Sequence, residues 1–303
     1  MTLTQIRFAR AVAREKSFSA AATACNVSQP SLSNAIANLE SELGGPLFAR
    51  TTRRVNLTPL GEKLAPLLED VEESVRNLEE AAKAARNASV KLIRMGLSPL
   101  VSTPLLALAL RPFEARNPSV KVVLKQCFLE DLRDRIGGHA LDAAIVPSGF
   151  FGRDWERCPF YSDTLQYLAS ENSPQTGVAA GSVTPRQIAG DTFVLTGDGC
   201  GLTPFVRALF QKQRIRIREY PGQALNHQVI EEWVALGLGS GLLPLRKLTS
   251  QKPRARPVVT PNGMPVEVSY ELAWRKRSDC GPHVTALIRH FRDVVPKLIA
   301  GAV

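Results

Sequence analysis

Hydrophobic positions at helical spacing predict three short helices in residues 1–60. Ile6, Phe8 and Val12 lie on the first, and the alanines of AAATAC allow close contacts of the second. The third buries a stripe that consists of Leu32, Ile36, Leu39 and Leu43.

A tight turn, Asn26–Val27–Ser28, precedes the third helix. Ser28 is a suitable N-cap, and Pro30 falls in the first turn, where a missing N–H costs little. Two short helices joined by a three-residue turn predict a helix-turn-helix in residues 1–60.

Residues 61–86 carry a different pattern, with apolar residues at alternating steps of four and three. The positions are Leu64, Leu68, Val71, Val75, Leu78, Ala82 and Ala85. This 3.5-residue repeat is typical of a coiled-coil seam. We predict a linker and dimerisation helix over residues 61–88, with Pro59 and Pro66 marking its start or a kink. A helix that packs on its own domain is the alternative.

From residue 89 to 303 the pattern alternates between strands and helices. Strands are predicted over residues 90–97, 120–128, 141–146, 193–196, 215–220 and 266–274. Helices are predicted over residues 103–116, 129–136, 201–213, 224–236 and 284–300. Repeated βα units predict a largely parallel sheet. Two subdomains are expected, I over residues 89–163 and 267–303 and II over residues 164–266, with crossings near 160–170 and 264–272.

Charge and cysteine usage narrow the class of protein. The formal net charge of +10 favours a polyanionic partner. Five widely spaced cysteines without a CxxC pair predict reduced thiols, and neither a zinc ribbon nor a dithiol motif. The N-terminus lacks the apolar run of a signal peptide, and Leu105–Leu110 is too short to span a membrane. We expect a cytoplasmic protein without membrane association.

DNA accounts for the polar face of the third helix. Gln and Asn bond adenine edges, Ser bonds bases or phosphates, and a helix N-terminus favours a phosphate. The predicted DNA-binding residues of the helix are Ser28, Gln29, Pro30, Ser31, Ser33, Asn34 and Asn38. A two-stranded wing is predicted to carry Arg50, Arg53 and Arg54 to the DNA backbone or minor groove. A small helical domain with a solvated polar face is the alternative.

SFSAAATACNVSQPSLSNAIANLESELGGPLFARTTRRVNLTPLG resembles the winged helix-turn-helix of the LysR-type transcriptional regulators. SFSAAA, VSQPSLS, LESELG and PLFAR are the densest parts of the resemblance. It implies an α+β multidomain fold with a winged helix-turn-helix, a long linker helix and a C-terminal α/β domain of two subdomains. That last domain would resemble a periplasmic binding protein.

The resemblance also implies partners. The regulator would bind promoter DNA at an interrupted inverted repeat as a homo-oligomer, usually a dimer of dimers. A small-molecule effector between the subdomains would bias two arrangements of the oligomer, with effects on DNA bending and RNA polymerase. Asn34 and Asn38 stand where the family often has basic residues, so the wing arginines must supply more of the salt-dependent affinity.

By the same resemblance, the effector cleft is lined by GLSPLVSTP and by the ends of later strands. The predicted set is Ser98, Pro99, Leu100, Ser102, Thr103, Cys127, Phe128, Pro147, Cys200, Gly201, Asn226 and His227. The hydroxyls suit a carboxylate, or they serve helix capping alone. Leu100 and Phe128 stand where hydroxyl residues are frequent, which favours an aromatic or bulky apolar effector, or a smaller pocket. His227 is alternatively a surface or capped histidine.

Two stretches leave alternatives open. Cys200, flanked by glycines before a helix, is either a low-pKa sensing thiol or a small residue in a ligand turn. Peroxide-sensing family members carry a reactive cysteine in this turn, but the alignment places that position at Gly201. RIRIRE, residues 214–219, predicts a strand whose arginines attract an anionic effector or guard a solvated edge.

Two other function classes compete with the regulator. An enzyme is disfavoured because the sequence lacks HExxH, GxSxG and P-loop motifs. Cys280, His283 and His290 are weak evidence for a metal. A solute-binding transport protein would fit the C-terminal fold but not the N-terminal module. The sequence therefore predicts no catalytic residue, no metal site and no cofactor.

Overall fold

Two compact units follow one another along the chain, Met1–Ala88 and Ser89–Val303. The computed structural model describes residues 1–50, 55–86, 90–175, 181–249, 255–276 and 281–301. Among these residues, no helix has both the length and the apolar character that crossing a membrane requires.

The N-terminal unit consists of four helices and a two-stranded wing. Its elements are α1 Leu3–Glu15, α2 Phe18–Ala24, α3 Gln29–Leu43, β1 Phe48–Arg50, β2 Val55–Leu57 and α4 Pro59–Arg86. Leu32, Ile36 and Leu39 of α3 are fully buried in its core. The predicted helix-turn-helix is therefore confirmed as α2, turn and α3.

The turn between α2 and α3 is built by local hydrogen bonds. Asn26 adopts a left-handed conformation with φ 56°, which Asn tolerates better than most residues. Its position lets the Val27 N–H donate to the Ala22 carbonyl at 3.0 Å and close α2. The Ser28 hydroxyl then accepts from the Ser31 N–H and starts α3.

The wing is fixed to both helices that flank it. Glu40 of α3 accepts hydrogen bonds from the Leu47 and Phe48 N–H groups at 2.7 and 3.1 Å. The Thr58 hydroxyl donates to the Pro46 carbonyl at 2.6 Å and accepts from the Gly61 N–H at 3.0 Å. The start of α4 therefore lies directly against the start of the wing.

The predicted seam of α4 has two different environments. Leu64 and Leu68 pack on the core of their own unit, so the own-domain alternative holds for the first turns. Further along, Val71 and Leu78 are 37% and 70% exposed. Pro66 lies inside the helix, which continues through it.

The C-terminal unit is an α/β domain. Its elements are β3 Lys91–Leu97, α5 Thr103–Arg116, β4 Val120–Gln126, α6 Leu129–Gly137, β5 Ala143–Pro147, β6 Trp155–Leu168, β7 Thr192–Thr196, α7 Leu202–Lys212, β8 Arg218–Ala224, α8 His227–Ala235, β9 Ser240–Pro244, β10 Arg256–Pro257, β11 Glu267–Arg275, α9 Pro282–Asp293 and α10 Val295–Ala300.

The strand β6 joins two parts of the described sheet, whose order is β4-β3-β5-β11-β6-β9-β7-β8. Nine residues between Trp155 and Thr164 pair with β11, with an irregularity at Phe160, and Leu165–Leu168 pair with β9. The chain returns beside it, because the Leu165 N–H donates to the Val266 carbonyl at 2.8 Å. Below, subdomain I denotes the β3–β5 side with β11, and subdomain II the β7–β10 side.

Three predictions of secondary structure are wrong. The sheet is mixed rather than largely parallel, since β6 and β11 run antiparallel to their neighbours. RIRIRE does not form one strand, because Arg214 is left-handed with φ 58° and ends α7, while β8 begins at Arg218. The closing helix divides at Val294, since Pro296 has no N–H for a continuous helix.

We expect Gly61→Ala to destabilise the N-terminal unit by about 2 kcal/mol or more. A Cβ at this position would lie 2.1 Å from the Leu47 carbonyl oxygen, a backbone atom that holds the wing. Urea unfolding followed by circular dichroism measures the effect.

Gly137→Ala in α6 is the matched control, because a Cβ there meets nothing within 4 Å. We expect it to change stability by less than about 1 kcal/mol, or to raise it through helix propensity. Equal effects of the two substitutions would contradict this packing account.

Candidate functional sites

One face of α3 is apolar and buried, and the opposite face is polar and exposed. Full burial of Leu32, Ile36 and Leu39 fixes the rotation of the helix about its axis. The predicted DNA-binding residues with exposed side chains are Ser28, Gln29, Pro30, Ser31, Asn34 and Asn38, and Ser33 is half-buried. The helix therefore presents hydroxyl and amide groups together at its N-terminal half.

The two hydroxyls at the start of α3 hold its first turn. Ser28 Oγ accepts from the Ser31 N–H at 3.3 Å and shares a 2.7 Å hydrogen bond with Ser31 Oγ. Gln29 and Asn34 of the same helix have exposed amide side chains. Since Gln and Asn offer both donors and acceptors, they are suited to reading base edges.

The wing brings part of the predicted basic set to the same unit. Arg50 is the last residue of β1 and pairs with Val55 of β2. Arg53 and Arg54 lie outside the described residues. Their predicted contact with the DNA backbone stays a prediction.

A cleft of about 690 Å³ separates the two subdomains. Subdomain I contributes residues 128–131 and 147–150, and subdomain II contributes Asp198, Gly199, Gly201, Pro204 and Phe205. Of the predicted effector-binding residues, Phe128, Pro147 and Gly201 line this cleft.

The glycines of the 198–201 turn allow the two walls to approach each other. A Cβ on Gly199 would lie 3.0 Å from the Phe128 ring. Gly201 has φ 90°, and a Cβ there would lie 2.8 Å from a methyl group of Leu129. Side chains at these two positions would fill the entrance.

The effector-binding residues predicted in GLSPLVSTP do not line this cleft. Ser98 is fully buried, and its hydroxyl donates to the Cys200 carbonyl at 3.1 Å, which joins subdomain I to subdomain II. Leu100 is buried, Pro99 half-buried and Thr103 exposed. Ser102 makes no capping bond with its side chain, while its N–H donates to the Tyr161 hydroxyl at 2.7 Å.

The remaining predicted residues are divided between the two subdomains. Cys127 is half-buried, and burial raises the pKa of its thiol. The Asn226 side chain caps α8 by accepting from the Val229 N–H at 3.1 Å. Cys200 is 3% exposed, and its thiol lies 3.1 Å from the Thr196 hydroxyl.

A buried polar cluster between the subdomains was missed by the sequence reasoning. Lys247 Nζ donates to the Val101 carbonyl at 2.8 Å, and Asp163 accepts from the Arg246 N–H at 3.0 Å. The rings of Tyr161 and Tyr270 stack with centroids 4.5 Å apart. Tyr161 and Asp163 are two residues apart in β6 and therefore lie on one face of the strand. This spacing was the signal in the sequence that could have predicted the cluster.

Burial governs the protonation of this cluster. Burial, together with the nearby Lys247 ammonium, lowers the pKa of His227 to about 4. Burial also lowers the pKa of Lys247, while Asp163 and Cys200 raise it. Among the described residues, none bonds His227 Nε2, so a proton there would have no acceptor.

No group of three or more His, Cys, Asp or Glu side chains in the described ranges is arranged to hold a metal. Of the weak candidates, Cys280 lies outside those ranges. His290 is buried, with Nε2 2.7 Å from the Ala109 carbonyl oxygen, so its ring bonds the backbone of α5.

Two family models match the chain. The model described as a bacterial regulatory helix-turn-helix protein of the lysR family matches residues 3–62, and the LysR substrate binding domain matches residues 86–296.

Individual relatives extend along nearly the whole chain. The RuBisCO operon transcriptional regulator of Allochromatium vinosum is 25% identical, covering 97% of this chain and 95% of its own. A probable hydrogen peroxide-inducible genes activator of Mycobacterium avium is 29% identical, covering 84% of this chain and 81% of its own. Full-length CbnR, solved with its target DNA, shares the fold, with a TM-score of 0.70 at 18% identity over 98% of this chain and 100% of CbnR.

We expect the free energy of unfolding to fall as the pH is lowered from about 6.5 to about 4, because His227 stays neutral in the fold while the unfolded chain takes up the proton. Above pH 6.5 this contribution is fully present. The loss from this group alone reaches about 3 kcal/mol at most. Urea unfolding of the wild type and His227→Gln at several pH values measures it. Parallel pH curves for the two proteins would show that His227 does not titrate in this way.

Proposed function

Because the chain belongs to the LysR family of bacterial transcriptional regulators, we propose that the polar face of α3 reads the bases of promoter DNA. The chain is a DNA-binding transcriptional regulator with an effector-binding domain. The observation that supports the role of α3 is its orientation, with Leu32 and Ile36 fully buried and Gln29 and Asn34 exposed.

In this proposal, α3 contacts the DNA bases and the wing contacts the DNA backbone. Gln29, Ser31, Ser33, Asn34 and Asn38 contact base edges, as uncharged side chains on a helix in the major groove do. Ser28 and Pro30 shape the start of that helix. The wing arginines Arg50, Arg53 and Arg54 bind phosphates and supply the salt-dependent part of the affinity.

The operator in this proposal is an interrupted inverted repeat that binds a symmetric homo-oligomer, a dimer of dimers. The exposed Val71 and Leu78 of α4 support pairing of this helix with a second copy. CbnR, which shares the fold, has been solved with its target DNA. The site of action is the cytoplasm, where promoter DNA is available.

We expect Ser33→Ala and Asn34→Ala to reduce the discrimination between operator and random DNA by about 1–3 kcal/mol. Arg53→Ala should weaken binding to both DNAs alike and lower the slope of log affinity against log salt by about one. Fluorescence anisotropy with both DNAs over a salt series measures both effects.

Ser41→Ala is the matched control on the same helix, since Ser41 is exposed at the far end of α3. It should leave both affinities unchanged. If the two α3 substitutions weaken operator and random DNA by the same factor, the assignment of α3 to base reading is wrong.

The cleft is proposed as the site of a small-molecule effector. Two hydrogen bonds join the two subdomains in the described structure, from Ser98 to the Cys200 carbonyl and from Lys247 to the Val101 carbonyl. A ligand that changes the separation of the walls would alter these bonds and bias one arrangement of the oligomer. The linker helix would pass this change to the DNA heads, and RNA polymerase would respond without any catalytic step in this chain.

Thiol sensing is a second candidate, supported by relatives that are described as hydrogen peroxide-inducible genes activators. Cys200 lies in the turn before α7, one residue before Gly201, where the alignment places the reactive cysteine of peroxide-sensing family members. Its burial and its contact with Thr196 favour a structural role.

We expect Cys200 in native protein to alkylate slowly, on the timescale of local opening, because only 3% of the residue is exposed. Mass spectrometry of iodoacetamide-treated wild type and Cys200→Ser identifies the modified site, and urea-unfolded protein gives the rate of the free thiol. Alkylation of native Cys200 at the unfolded rate would favour thiol sensing instead.

A further inference from the structure

The cleft between the subdomains combines aromatic walls with negative charge. Phe128, Phe150 and Phe205 line it, together with two prolines. Its charged lining residues are Glu130, Asp131 and Asp198. Among the described residues that line the cleft, none is lysine, arginine or histidine.

The helix terminus at the cleft does not favour an anion. Glu130 and Asp131 occupy the first turn of α6, where their carboxylates already complement the positive end of the helix dipole. An anionic ligand at this point would be repelled by both carboxylates. The second helix at the cleft, α7, begins beside Asp198, which adds a third carboxylate.

Two basic side chains near the cleft, Arg207 and Arg133, already have partners. Arg207 Nη1 bonds the Asp198 carboxylate at 2.8 and 2.9 Å, and the same guanidinium binds Glu219. Arg133 has its Cζ 4.5 Å from the centroid of the Phe150 ring. This contact shows that the ring already accepts a cation on one face. Of the described subdomain I residues that line the cleft, the charged ones are Glu130 and Asp131.

We propose that the effector of this cleft is a small aromatic molecule with a positively charged amine, rather than an aromatic carboxylate. The inference rests on the proposed function, in which the cleft is the effector site. The ring of the ligand packs among Phe128, Phe150 and Phe205, and the ammonium group lies by Glu130 and Asp131. About 690 Å³ accommodates one such molecule.

Three probes with the same ring and different charge test this proposal on the full chain. Benzylamine is cationic at pH 7.5, benzyl alcohol is neutral and benzoate is anionic. We expect calorimetric titration to give benzylamine an affinity about tenfold above that of benzoate, with benzyl alcohol between them. Raising the salt from about 0.05 M to about 0.5 M should narrow these differences, since the carboxylates are exposed.

Substitutions of the acidic residues test whether their charge is what favours benzylamine. Glu130→Gln and Asp131→Asn should each weaken benzylamine binding about threefold and leave benzyl alcohol unchanged. Asp134→Asn is the matched control, because Asp134 is exposed on the same helix but does not line the cleft. It should leave all three affinities unchanged.

The proposal is overturned if benzoate binds as tightly as benzylamine, if benzylamine does not bind, or if the two cleft variants leave its affinity unchanged. DNA binding is measured on the same preparations by anisotropy. If the wild type still prefers operator over random DNA but gives any of those results, only the proposal of a cationic ligand is rejected. If the wild type does not prefer operator over random DNA, the proposed function itself is contradicted.

Discussion

Burial of one face of each element fixes where the functional residues of this chain point. On α3, Leu32, Ile36 and Leu39 are removed from water, and a rotation of the helix would expose them at a cost of about 2 kcal/mol each. This burial holds the polar residues of the opposite face outward. Glu40 extends this control to the wing by accepting two backbone hydrogen bonds. The polar face of α3 and the described strands of the wing therefore have a defined geometry in the protein alone.

In the C-terminal unit, burial also fixes the strands that cross between the two subdomains. β6 is buried along much of its length and pairs with β11 and then with β9, so the subdomains share a continuous sheet. The Ser98 and Lys247 hydrogen bonds also join the two subdomains. Small changes in the angle between subdomains would break these bonds while the sheet stays intact. This is the arrangement a ligand-controlled hinge requires.

Much of the N-terminal unit could be predicted because its signals are local. The turn, the Ser28 cap and the apolar stripe lie within about four helical turns of each other. The cleft could not be predicted to the same extent, because Ser98 meets Cys200 and Lys247 meets Val101 across more than a hundred residues. The strand predicted for RIRIRE was wrong because the alternation of Arg and Ile does not reveal that Arg214 adopts a left-handed conformation. Of the effector-binding residues predicted from the family resemblance, Phe128, Pro147 and Gly201 line the cleft, and its acidic residues were not predicted.

We infer that this chain binds specific DNA sequences as a symmetric oligomer, and footprinting of genomic fragments selected by the purified protein tests this inference. We expect protected sites that share an interrupted inverted repeat, with half-site centres separated by whole turns of about 10.5 base pairs. Protection spread evenly over unrelated sequences, with no shared repeat, would contradict the inference.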